Sequence, residues 1–153
     1  MHIPDTAWLG SWRRDIEAAA AALMVDFQRR FGYPPGENVI SDADPSAARR
    51  LASASAPLTQ LYEHVGAVSL PDVGNGHFVH PASLVLDQIT TADLVVFASD
   101  GGGILYATAR DGTVHRSVAA SPDADFEPVA TDLRNFLDQL RTAVLRFVET
   151  GEP

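Results

Sequence analysis

The sequence predicts a domain of the α+β class, a mainly antiparallel twisted sheet packed against N- and C-terminal helices. Three stretches predict it. The central one runs from Leu94 to Val118 and opens with the apolar run Leu94-Val95-Val96-Phe97-Ala98. That run is too short for a helix and rich in β-branched and aromatic residues, so it reads as a strand buried on both faces. Ser99-Asp100-Gly101-Gly102-Gly103 breaks it, and Ile104 to Ala109 follows as a second strand. Asp111-Gly112 then separates that strand from a third, Thr113 to Val118. An Asp-Gly pair between strand-like runs signals a tight hairpin in which both turn residues take positive φ. The other two stretches are amphipathic helices. Trp8, Trp12, Ile16, Leu23, Phe27 and Phe31 recur at helical spacing within residues 5–31. Leu133, Phe136, Leu137, Leu140, Val144, Phe147 and Val148 form a continuous stripe near the other end.

The remaining elements follow in chain order. Gly10 interrupts the first helix and points to two pieces, while Ala18 to Ala22 adds helix propensity. Gly32 is placed as its C-terminal cap, and Pro34-Pro35 forbid continuation. The tryptophans read as core anchors, since large aromatic rings on an apolar stripe bury well. Tyr33 to Asp44 is a loop. Asp44-Pro45 supplies an N-cap with proline at the first helical position, starting a short helix that ends near Ala52. Pro57 begins another, with Leu58, Leu61, Tyr62 and Val65 on one face and Gly66 at its close. Ala67 to Leu70 and His77 to His80 are strand candidates, with Pro71-Asp72 and Asn75-Gly76 as turn chemistry between them. Pro81 suits the opening of a short helix or turn. Ala119 to Pro128 reads as an acidic, proline-containing loop, and Thr131 is expected to cap the last helix, which Gly151 ends. No linker or repeat divides the chain, so residues 1–153 are expected to form a single domain.

Composition narrows the function. The chain has no cysteine, which excludes disulfides, thiolate metal sites and a cysteine nucleophile. All eleven basic residues are arginine, so a Schiff-base lysine and a phosphate-loop lysine are also excluded. Against them stand twenty acidic residues, for a net charge of −9. Such a surface repels nucleic-acid phosphates and anionic lipid, and it steers basic partners. It also keeps a protein soluble, which accounts for much of the acidity. No apolar run has membrane-spanning length, and no basic region followed by an apolar segment opens the chain; no membrane partner and a cytoplasmic location are expected.

The candidate chemistry is thin. Gly101-Gly102-Gly103 follows an apolar strand, but a strand rather than a helix comes next, and no lysine follows. Those glycines are expected to supply positive φ, a bulge or close backbone approach. His77 and His80 stand three apart on an extended strand, so they face opposite ways and cannot share a metal ion. Asp72, Asp87, Asp93 and Asp100 flank strand segments without a spacing that singles out an acid–base pair. No catalytic constellation, cofactor site or metal site is expected. Asp123, Asp125 and Glu127, with Asp132 nearby, are the most suggestive surface, because acidic groups can mimic phosphate toward a basic partner. A solvated loop with favourable charge near a helix N-terminus accounts for the same residues.

Several of these residues, read together, resemble the SUKH superfamily of Smi/Knr-type domains. They are Leu61-Tyr62 on a helix, Leu70-Pro71, Gly74-Asn75-Gly76, Phe78 before Pro81, the strand into Asp100-Gly101-Gly102-Gly103, Tyr106, Asp111-Gly112, and the final Phe136-Leu137 helix. The resemblance covers residues 57–148, and the N-terminal helix over residues 5–31 adds to it. It implies a mixed α+β, non-enzymatic protein-binding module, in bacteria often an immunity protein that neutralises a cognate toxin by direct binding. Asp100, Asp123, Asp125 and Glu127 are then the expected partner contacts, and Gly101, Gly102, Gly103, Tyr106, Asp111 and Gly112 the structural motif. The alternatives are an intracellular scaffold unconnected with toxins and, from another class, a small metal-dependent hydrolase using histidines and aspartates of the strand region.

Overall fold

The computed structural model describes residues 4–89, 93–121 and 123–153. Helix α1 (Thr6–Phe31) is followed by strand β1 (Val39–Ile40), short helices α2 (Pro45–Arg50) and α3 (Ala56–Tyr62), and strands β2 (Val68–Leu70) and β3 (His77–Val79). Helix α4 (Ala82–Gln88) leads to β4 (Leu94–Asp100), β5 (Leu105–Ala109), β6 (Val114–Ser117) and β7 (Phe126–Ala130), and α5 (Leu133–Thr150) ends the chain. The class is α+β, as the pattern of helices and strands predicts. Among the described residues seven strands form one sheet in sequence order, each antiparallel to the next.

Both long helices start on an aspartate that fills the N-cap role. Asp5 accepts from the Trp8 amide and Asp132 from the Asn135 amide at 2.7 Å each, satisfying amides that have no partner inside the helix. The last helix is therefore capped by Asp132 and not by Thr131, because Asp132 has the extended backbone that aims its carboxylate back along the helix. Gly32 and Gly151 close both helices in the left-handed conformation. Gly10 does not break α1, which runs unbroken through it; one glycine costs only about 1 kcal/mol of helix propensity, and burial of the apolar face outweighs that.

The helices α1 and α5 run parallel. The Trp12 indole N–H donates to the Leu137 carbonyl at 2.7 Å, Arg141 pairs with Asp15, and Arg30 donates to the Val148 carbonyl. Trp12, Ile16, Leu23 and Phe27 are buried. Trp8 instead sits at the rim, half-buried, with the Arg134 and Arg141 guanidiniums 5.0 and 5.3 Å from its ring.

Two features of the sheet depart from the sequence reading. Strand β4 is not buried on both faces: a bulge between Val96 and Ala98 puts Val95, Phe97 and Ala98 in the core and leaves Leu94 and Val96 half-buried. The β5–β6 turn is not of the type that needs two positive φ angles. Asp111 has negative φ, Gly112 alone takes +89°, and the Gly112 amide donates to the Ala109 carbonyl. That is a common-type turn followed by a left-handed glycine, the three-residue hairpin loop. Asp111 accepts from the Thr113 amide and hydroxyl, which holds its carboxyl below the usual range. Two strands were also not anticipated. The β1 pair of residues lies in the loop after α1, and β7 overlaps the acidic segment expected to be loop throughout.

The turns at one end of the sheet touch. The Gly101 amide donates to the Gly76 carbonyl at 3.3 Å. A Cβ built on Gly101 would stand 1.7 Å from the Asn75 carbonyl oxygen, so only glycine fits. Gly102, one residue on, has open surroundings apart from the Asp100 carboxylate at 3.4 Å. Gly101→Ala is therefore expected to cost at least about 2 kcal/mol, since backbone must shift to admit the methyl. Gly102→Ala should stay within about 0.5 kcal/mol. Urea denaturation of the two variants checks the contrast, and equal midpoints would contradict it.

Candidate functional site

A sheet ordered by nearest neighbours puts alternate connections at the same end. The segments 71–76, 100–104, 118–121 and 123–125 accordingly lie at one end, joined by the Gly101–Gly76 hydrogen bond and by Gly103 against Ala120. The residues singled out from the sequence separate along this axis. Asp100, Gly101, Gly102, Gly103, Asp123 and Asp125 belong to this end, and Glu127 stands just inside it on β7. Asp111 and Gly112 form the turn at the opposite end, so they serve the hairpin and do not join the acidic group. Pro122 of the acidic segment lies outside the described residues.

The acidic residues differ in their surroundings. Asp123 and Asp125 are exposed. Glu127 faces Arg116 on the neighbouring strand, an ion pair of 2.9 Å between half-exposed side chains that offsets part of its charge. Asp100 Oδ1 accepts from the Gly102 and Ile104 amides at 2.9 and 3.1 Å, so this carboxylate organises the turn it starts. Asp132 is occupied as the cap of α5.

Beside these turns a cleft of about 160 Å³ opens between α5 and the sheet. Phe78, Val79, Tyr106, Phe136, Leu140 and Ala143 form most of its apolar walls, with His77, Ser99 and Gln139 as polar members. The Tyr106 and Phe136 rings lie 5.1 Å apart, and Phe97 meets Phe136 edge-on at 5.3 Å. Across adjacent strands Tyr106 stands opposite Arg116, and Arg116 opposite Glu127. Residues directly opposite in a ladder share a face, so the cleft and the acidic strand lie on the same side of the sheet. Burial lowers the His77 pKa against the opposing pull of Asp100, and burial chiefly raises that of the Tyr106 phenol. At neutral pH both are uncharged. Sequence reasoning finds Tyr106 only as a motif residue and misses the cleft, whose walls come from four strands and a helix distant in sequence.

The chemistry available elsewhere is limited. His77 lines the cleft, whereas His80 turns to Ser99. His80 Nε2 lies 2.8 Å from Ser99 Oγ, the distance of a nucleophile–base pair. Its Nδ1, however, is buried and has no hydrogen-bond partner, where a hydrolase histidine is held by a third group. Ser99 also sits within the β4 ladder rather than on an exposed turn. Asp72 accepts from the Gly36 amide and the Asn38 side chain, while Asp93 pairs with Arg110 at the far end of β4. Asp72 and Asp100 thus each hold groups of the loops at one end, and Asp93 stands at the other. Among the described residues no group of three histidine or carboxylate side chains is placed to hold a metal ion, and no helix is long and apolar enough to cross a membrane. No protein-family model matches the chain, and no curated protein sequence matches it.

Burial lowers the pKa of His80 as well as that of His77, and this sets the sign of a pH effect. A histidine whose folded pKa lies below its unfolded value of about 6.5 is neutral in both states above that pH. Below it the unfolded chain takes up protons that the fold resists, so stability is full above pH ~6.5 and declines as pH falls. Unfolding free energies measured between pH 7.5 and 5 should fall with acidification, and His77→Gln/His80→Gln should flatten that slope. An unchanged slope in the double variant would assign the effect to other groups.

Proposed function

We propose that this chain is a non-enzymatic protein-binding module of the SUKH type, an immunity protein that neutralises a cognate bacterial toxin by direct binding. The observation that carries the reading is the juxtaposition at one end of the sheet. Asp123 and Asp125 stand exposed on a loop, Glu127 follows on the edge strand, and an aromatic-walled cleft opens on the same side. Supporting it are the SUKH-like order of residues over 57–148 and a net charge of −9 that favours a basic target.

The mechanism is occlusion. Acidic side chains steer a basic toxin surface into place, and the loops cover it without any bond being made or broken. Strand β7 takes part as the sheet edge. Pro128 removes one amide donor from it and Glu127 adds a charge, both of which discourage sheet-to-sheet pairing and favour recognition through side chains.

A pull-down with the tagged full chain from its native lysate at low and high salt, read by mass spectrometry, tests the proposal. A single stoichiometric partner with a toxin-like C-terminal domain is expected; an assortment of housekeeping proteins would favour a cellular scaffold. Reaction of Ser99 with a fluorophosphonate probe would turn the reading toward hydrolysis. With the partner in hand, Asp123→Asn/Asp125→Asn/Glu127→Gln should slow association about tenfold or more at low salt. Its salt dependence should flatten, while its thermal midpoint stays close to that of the parent. Stopped-flow association rates check this, and an unchanged rate would remove the loop from the interface.

A further inference from the structure

The cleft beside the acidic loops fits one ring and little more. At about 160 Å³ it matches the roughly 150 Å³ that lodges benzene in an engineered core, and it falls short of the roughly 300–1,000 Å³ of pockets for larger ligands. Its walls are suited to an aromatic guest. Phe78, Tyr106 and Phe136 present rings, and the existing Tyr106–Phe136 and Phe97–Phe136 contacts are tilted and edge-on, arrangements that an added ring can extend.

We propose that this cleft receives one aromatic side chain from a protein partner whose surrounding surface is basic. The inference rests on the protein-binding reading above and names the contact that gives the complex its lifetime. Two arguments select a side chain over a free small molecule. A free ring of seven or eight atoms must supply the whole cost of its own immobilisation, at an upper limit of about 1.5 kcal/mol per atom that few ligands reach. A ring carried on a docked protein has most of that cost met by the rest of the interface, which is how buried aromatic residues become the dominant contacts of small interfaces. The second argument is charge. Val129, which lines the cleft, stands two residues beyond Glu127 on β7, and Tyr106 leads through Arg116 to Glu127 across adjacent strands. A ring seated in the cleft therefore brings the residues around it over the acidic edge, where arginine or lysine is favoured.

The test has two arms. In the first, 4-methylphenol, the side chain of tyrosine, is titrated into the full-length ¹⁵N-labelled protein. Saturable shifts are expected at the amides of Phe78, Val79, Tyr106, Gln139 and Ala143, with 4-methylcyclohexanol binding at least threefold more weakly. Ala143→Met should abolish them: Ala143 is an exposed helix position on the cleft wall, and methionine, a good helix former, lengthens its side chain into the space. No saturable shift, equal binding of the two probes, or shifts that persist in Ala143→Met would overturn the proposal. In the second arm, Ala143→Met is compared with the parent chain for binding the partner captured in the pull-down. A tenfold or greater loss of affinity with unchanged salt dependence is expected. Parent-like binding would overturn the aromatic anchor and leave the protein-binding reading standing, whereas capture of no partner by the parent chain would overturn both.

Discussion

The nearest-neighbour order of the strands is the constraint on which the rest of this molecule depends. It places residues 71–76, 100–104, 118–121 and 123–125 at one end of the sheet although they are spread over a third of the chain. Turns brought that close must pack backbone on backbone. The chain meets this requirement at Gly101, whose missing side chain leaves room for the Asn75 carbonyl. Gly103, in the left-handed region at φ +86°, turns the chain back into β5 and leaves Ala120 of the next connection against it. What resembles a phosphate-binding run in sequence is thus the joint that aligns three loops.

The second consequence concerns coverage. The helices α1 and α5 lie parallel, joined by the Trp12 indole on the Leu137 carbonyl and by the stacked rings of Phe31 and Phe147 at 5.6 Å. The buried stripe of α5 is large throughout, but at its border the exposed Gln139 and Ala143 put one polar and one small side chain on the cleft wall. A longer apolar residue at 143 would cover Leu140 and the Tyr106 ring.

Most of the fold was legible because its elements are marked by local chemistry. The proline at the start of α2, the aspartate before it, and the glycines that end α1 and α5 act within a few residues and read correctly in isolation. The errors share one cause, which is that pairing and packing act across distance. Strand β7 carries Pro128 and Glu127 and follows an acidic segment, the composition of a loop, and becomes a strand because β6 offers it a ladder on one side only. Burial of β4 was overestimated because a run of apolar residues does not disclose the bulge at Phe97 that redirects alternate side chains. For the site, the acidic residues could be found by charge alone. The cleft could not, since Phe78, Tyr106 and Phe136 share no periodicity and meet only after the sheet and α5 are assembled.

In the proposed complex the two halves of the site do different physical work, and neither suffices alone. Exposed carboxylates such as Asp123 and Asp125 interact through water and salt, so their contribution to a complex is mainly to the rate of encounter. Glu127 contributes less than its charge suggests, because Arg116 already shares it. Dissociation is governed by what must be returned to water, and on this face the apolar surface able to set that cost lies between Tyr106, Phe136 and Leu140. A surface that was only acidic would bind many basic proteins briefly. With a ring-sized recess beside the charge, affinity in the proposed complex depends on a single shape being presented at a fixed distance from a basic patch, and that is a basis for discriminating one partner from others of the same charge.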